Sequence, residues 1–104
     1  MEKSISILNN LIAKTMIRKQ LQFYGRVQGV GFRYTAIRAA NGLGIAGWVK
    51  NERDGSVTIE AQGSEAAIER MIATINGGSY IHIDNIVTTE LAIIEGDKGF
   101  EVRY

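Results

Sequence analysis

Between a stretch of alternating side chains and one with apolar residues at helical spacing lies Gly25-Arg26-Val27-Gln28-Gly29-Val30-Gly31-Phe32-Arg33. It holds three glycines and two arginines in nine residues. Closely spaced glycines let a chain reverse tightly and turn successive N–H groups into one concavity, a shape suited to a tetrahedral anion. An arginine at the far edge can add a bidentate fork to the same oxyanion. The segment thus imposes a strand-turn-helix unit, and it makes Gln28, Gly29, Val30, Gly31, Phe32 and Arg33 a candidate anion cradle. A glycine turn without a ligand is the plainer reading. A second polar segment, ending at Asn51, favours the cradle.

Ahead of the loop, Ile17, Lys19, Leu21 and Phe23 fall on one side of a strand, and Arg18, Gln20, Gln22 and Tyr24 on the other. Beyond it, Phe32, Ala36, Ala39 or Ala40, and Leu43 trace the inner stripe of a helix stopped by Asn41, Gly42 and Gly44. Ile45 to Lys50 reads as a second strand, with Asp54-Gly55 as the reversal after it. Val57, Ile59 and Ala61 then alternate with Ser56, Thr58, Glu60 and Gln62, a strand with one wet face.

Gly63 is expected to break that strand and Ser64 to cap a second helix, striped by Ile68, Met71, Ile72 and Ile75 and ended by Asn76-Gly77-Gly78. Ile81, Ile83, Ile86 and Val87 give a less regular strand with a bulge around Asp84-Asn85. A loop from Glu95 to Gly99 precedes a last short strand with Phe100, Val102 and Tyr104. The order βαββαβ with an additional short C-terminal strand describes an α+β, two-layer α/β sandwich, an antiparallel sheet with two helices on one face. Residues 16–104 form that single domain. Ile5, Leu8 and Ile12 recur at helical spacing, so residues 1–15 read as an N-terminal extension, either a short amphipathic helix or a flexible arm.

Composition narrows the function classes. Twelve basic and eleven acidic residues leave a net charge of +1, which argues against a dedicated nucleic-acid binder. Cysteine is absent, excluding disulfides and thiolate chemistry, and one histidine, His82, leaves little for a metal site. No signal peptide or membrane-spanning stretch is visible, so a cytoplasmic protein without membrane partners, and a monomer, is expected.

A right-handed crossover returns the second strand parallel to the first, with the third strand between them. The ends carrying Arg33 and Asn51 then meet at one end of the sheet. Backbone amides, a guanidinium, a neutral amide and the positive end of the first helix converge there. No Asp, Glu or His belongs to either core segment, so nucleophilic catalysis by a hydroxyl is poorly supported. The set can instead bind a phosphoryl group and hold a water in line with it.

The run Gly25-x-Val27-Gln28-Gly29-Val30-x-Phe32-Arg33 resembles the signature loop of the acylphosphatase family. Gly47-Trp48-Val49-Lys50-Asn51, followed by Gly55-x-Val57 and Gly63, is similar to its second signature. The resemblance extends from about Leu21 to Tyr104. It implies a ferredoxin-like sandwich and hydrolysis of acyl phosphates, which are carboxylic–phosphoric mixed anhydrides, to carboxylate and inorganic phosphate. It implies no metal or organic cofactor, a small-molecule acyl phosphate as substrate, and phosphate or sulfate as product-like ligands. By the same resemblance Arg33 binds phosphate together with the Gln28–Arg33 backbone, and Asn51 orients the attacking water. Phe23 stands where the family has an aliphatic residue, and Ser79 where it often has proline.

Other residues read more plainly. Arg26 is a surface or loop-stabilising side chain, with attraction of phosphate as its alternative. Trp48 and Tyr24 are packing residues, Lys50 is solvated, and His82 is structural or exposed. A non-catalytic ferredoxin-like module binding RNA or a small ligand is the main rival, but the expected wet face offers only Tyr24 for base stacking. A carbamoyl-phosphate-handling domain of a larger maturation enzyme is the second rival. The lack of a cysteine-rich region favours a free-standing enzyme over it.

Overall fold

A computed structural model describes residues 15–104. The helix or arm expected over residues 1–15 lies, apart from Thr15, outside the described residues. The elements are β1 (Met16–Arg26), α1 (Phe32–Leu43), β2 (Ala46–Asn51), β3 (Val57–Ser64), α2 (Glu65–Asn76), β4 (His82–Leu91) and β5 (Phe100–Arg103).

The strands form one sheet in the order β4-β1-β3-β2-β5. Central β3 pairs antiparallel with both β1 and β2, so those two run the same way and end at the same end of the sheet. β4 is antiparallel to β1, and β5 is parallel to β2. The sheet is therefore mostly antiparallel, as expected, with β2–β5 as its one parallel pair. A hairpin forces reversal between neighbours, but the segment after β4 crosses from one edge of the sheet to the other before β5 begins. Both helices cover one face, giving the ferredoxin-like α+β sandwich expected from the element order.

Alternation decides which side of each strand is buried. Leu21, Phe23, Val49, Val57, Ile59 and Ala61 meet Phe32, Ala36 and Ala40 of α1 and Ile68, Met71 and Ile75 of α2. Phe23 and Phe32 contact edge-to-face with ring centroids 5.0 Å apart. That geometry is the favoured one for aromatic pairs. Because these two rings sit on either side of the glycine loop, both its ends are anchored in the core.

Two expectations for β3 require correction. Gly63 does not break the strand, because pairing with Ile17 carries it on to Ser64. Ser64 is nonetheless the N-cap of α2, its Oγ accepting from the Ala67 N–H at 3.1 Å. Nor is the second face of the sheet fully wet: Arg18, Ser56, Thr58 and Gln62 are buried, while Gln20, Gln22, Tyr24 and Glu60 are half-buried.

The crossing segment covers part of that face like a strap. Gln62 holds it through both amide atoms, donating to the Ile94 carbonyl and accepting from the Ile94 N–H, each at 2.8 Å. Arg18 donates to Asp97 at 2.8 Å and to Glu60 at 2.7 Å. Burial alone would lower the Arg18 pKa, but hydrogen bonds to Asp97 and Glu60 outweigh it and leave it raised. A buried guanidinium is tolerable only with such partners. The expected bulge in β4 is present: the register shifts between Tyr24 and Gly25, leaving Asp84 unpaired.

Candidate active site

The loop between β1 and α1 dips into the core at Val27 and Phe32 and exposes Gly29 and Gly31 between them. Gly31 is the N-cap of α1 in the left-handed region (φ 81°), a conformation that disfavours a β-carbon. Its carbonyl is fixed by the Thr35 N–H at 3.0 Å and the Thr35 hydroxyl at 2.9 Å. No side chain caps the helix and no acidic residue lies in its first turn. The first-turn N–H groups and the positive end of the dipole therefore remain available to an anion. Of the residues expected in the cradle, Phe32 has only its backbone free for such a role, since its ring belongs to the core, and Val30 packs partly against that core.

Gln28 joins this loop to the turn between β2 and β3. Its Nε2 donates to the Glu52 carbonyl at 2.7 Å and to the Ser56 carbonyl at 2.9 Å. Sequence reasoning assigns a role only to the backbone of Gln28 and misses this bridge. Nothing local predicts it, because the partners lie 24 and 28 residues away. The turn has its own fastening: Asp54 Oδ1 accepts from the Ser56 hydroxyl at 2.6 Å and the Ser56 N–H at 2.9 Å. Those two bonds hold the Asp54 carboxyl below its ordinary range.

Asn51 is the last residue of β2 and half-buried. Its Oδ1 is fully buried and has no hydrogen-bond partner among the described residues. Arg33 is the second residue of α1, also half-buried, and its guanidinium carbon lies 5.6 Å from the centre of the Tyr104 ring. Tyr104 reaches that position because β5 runs parallel to β2 and so ends at the Asn51 end of the sheet. Alternation alone places Tyr104 on a terminal strand without showing which strand it joins. Arg26 is exposed and makes no ion pair among the described residues. The two signature segments thus share one end of the sheet and are tied together by Gln28. Together they offer hydrogen-bond donors and one buried acceptor, without a carboxylate or imidazole from either core segment.

The sequence profile of the Acylphosphatase family matches residues 19–102. The chain belongs to the acylphosphatase family. An acylphosphatase from Bifidobacterium longum (strain NCC 2705) is 40% identical over 90 residues, covering 85% of this chain and 93% of that protein. The crystal structure of acylphosphatase from Bacillus subtilis matches with a TM-score of 0.77 at 37% identity, over 85% of this chain and 99% of that one. Full-length HypF, in its phosphate- and nucleotide-bound form, matches with a TM-score of 0.76 at 31% identity. There the similarity covers 86% of this chain but only 12% of HypF. The acylphosphatase profile thus takes in both segments of the site, from β1 through the glycine loop to the β2–β3 turn and beyond.

Proposed function

We propose that the chain hydrolyses acyl phosphates in the cleft between the Gln28–Arg33 loop and Asn51. The phosphoryl oxygens sit against the loop amides and the uncapped start of α1, with the Arg33 guanidinium as a fork across two of them. Asn51 uses its side-chain carbonyl to accept a hydrogen bond from a water and aims that water at phosphorus. The observation that carries this reading is the buried, unpartnered Asn51 Oδ1 at the end of β2. Buried acceptors are normally satisfied, so an unmet one at the end of β2 supports a bound water as its partner.

In the reaction the water oxygen bonds to phosphorus while the bond between phosphorus and the acyl oxygen breaks, its electron pair leaving on the carboxylate. One water proton stays on the new phosphate oxygen and the other passes to solvent. Charge develops chiefly on the equatorial phosphoryl oxygens, where loop amides and Arg33 are positioned to stabilise it. A carboxylate is a good leaving group, so the site needs no protein acid. The substrate is a small molecule, and phosphate or sulfate occupies the cradle as a product-like ligand. The protein acts as a cytoplasmic monomer. Among the described residues no helix is long and apolar enough to cross a membrane.

Titration with inorganic phosphate, followed by amide NMR, tests the cradle. Shifts concentrated in Gln28 to Arg33 are expected, and shifts elsewhere with none in that segment would reject it. Release of phosphate from a small acyl phosphate tests the activity itself, and its absence across several acyl groups would overturn the reading.

A further inference from the structure

We propose that a groove beside the phosphate loop, lined by Arg26, Ser79, Tyr80, Ile81, His82 and Asp84, receives the acyl group and favours acyl groups that carry a second anion. The inference rests on the hydrolytic reading above and names what selects the substrate there. In phosphoryl transfer the attacking and leaving oxygens lie roughly in line through phosphorus. The attacking water belongs to Asn51, at the end of β2. The sheet order β4-β1-β3-β2-β5 puts β2 on one flank of the loop that follows β1, and β4 on the other. The leaving carboxylate, and with it the acyl group, therefore points toward the β1–β4 side, where this cavity of about 470 Å³ lies.

Its walls suit a short acidic acyl chain. Gly25 lets the start of β4 close onto β1: with φ at 131°, a β-carbon there would strike the His82 carbonyl and come within 2.8 Å of the Asp84 N–H. That close approach sets His82 beside Arg26, its partner in the ladder. The only carboxylate among the lining residues, Asp84, has its Oδ1 3.2 Å from His82 Nε2. The Arg26 fork is left free for a carboxylate of the substrate. Tyr80, 75% exposed, adds an aromatic wall, and buried Ile81 adds an apolar contact for the chain between the two charged ends.

Succinyl phosphate and butyryl phosphate have four-carbon acyl groups that differ by a terminal carboxylate, and they separate the possibilities. With Arg26→Gln, the ratio of kcat/KM for succinyl over butyryl phosphate should fall about fivefold, chiefly through KM, the scale of an exposed ion pair. Arg26→Glu should lower it further, with the loss on succinyl phosphate exceeding that on butyryl phosphate. An unchanged ratio would overturn the proposal. So would an equal loss on both substrates, which would assign Arg26 to the phosphoryl group instead. If the wild-type protein hydrolyses neither compound, the hydrolytic reading itself fails and this one falls with it.

Discussion

Asn51 and Gln28 both carry a side-chain amide, yet they stand in opposite energetic positions. Asn51 buries an acceptor that no described residue satisfies. An unmet buried acceptor costs roughly 1–3 kcal/mol. Asn51→Ala is therefore expected to abolish most activity while leaving Tm unchanged or higher, as thermal unfolding beside an activity assay would show. A clear drop in Tm would make Asn51 structural. Gln28 is satisfied twice over, by the carbonyls of Glu52 and Ser56. Gln28→Ala should destabilise the fold by about 1–2 kcal/mol in urea unfolding, the scale of two neutral hydrogen bonds. It should also reduce kcat, because the turn following Asn51 is no longer tied to the loop. Unchanged kcat with lowered stability would limit Gln28 to the fold.

At the scale of elements, alternation reveals the buried side of β1 and β3 and the apolar stripe of both helices, because those patterns are local; in β4 no residue is fully buried and Val87 is exposed. It does not reveal the fate of the polar side. Arg18, Thr58 and Gln62 look like a wet face in sequence, but Arg18 and Gln62 hold a strap whose residues lie 32 to 79 positions away. Arg18→Met should cost about 2–3 kcal/mol by thermal or urea unfolding, since it strands the Asp97 and Glu60 carboxylates, both only partly exposed. A neutral result would mean that the apolar replacement packs as well as the ion pairs.

The β2–β3 turn offers a check of opposite locality. Asp54 is bonded by Ser56 in the folded state, so its folded pKa lies below its ordinary value. Its contribution to stability is fully present above that ordinary value and disappears as pH falls through the folded pKa. The stability difference between wild type and Asp54→Asn should thus be small at neutral pH and vanish in acid, as unfolding curves recorded across pH would show. A difference that grows in acid would contradict the assignment.

At the scale of the molecule, the site is legible in parts. Each signature segment is continuous in sequence, so Arg33, Asn51 and the glycine loop can be named as candidates from the amino-acid order alone. Their meeting at one end of the sheet follows from handedness, with β3 between β1 and β2 as expected. The joints are not legible: the Gln28 bridge, the approach of Tyr104 to Arg33, and the groove beside Arg26 all depend on which strands become neighbours. β5 is the clearest case. Its alternation is plain, yet only its parallel pairing with β2 brings the C-terminal ring to the Asn51 end of the sheet, beside Arg33.

The central claim is that Arg33 and Asn51 form one site that binds phosphate and positions water. The most direct test is metal-free hydrolysis of a small acyl phosphate by wild type, Arg33→Ala and Asn51→Ala, each checked for folding by circular dichroism. Removing one preorganised donor to a developing charge typically costs about 10²–10³ in rate. The prediction is a loss of at least that size with raised KM in folded Arg33→Ala, and of about 10² in folded Asn51→Ala, which loses the alignment of the water. Near-wild-type turnover in either folded variant would contradict the shared site.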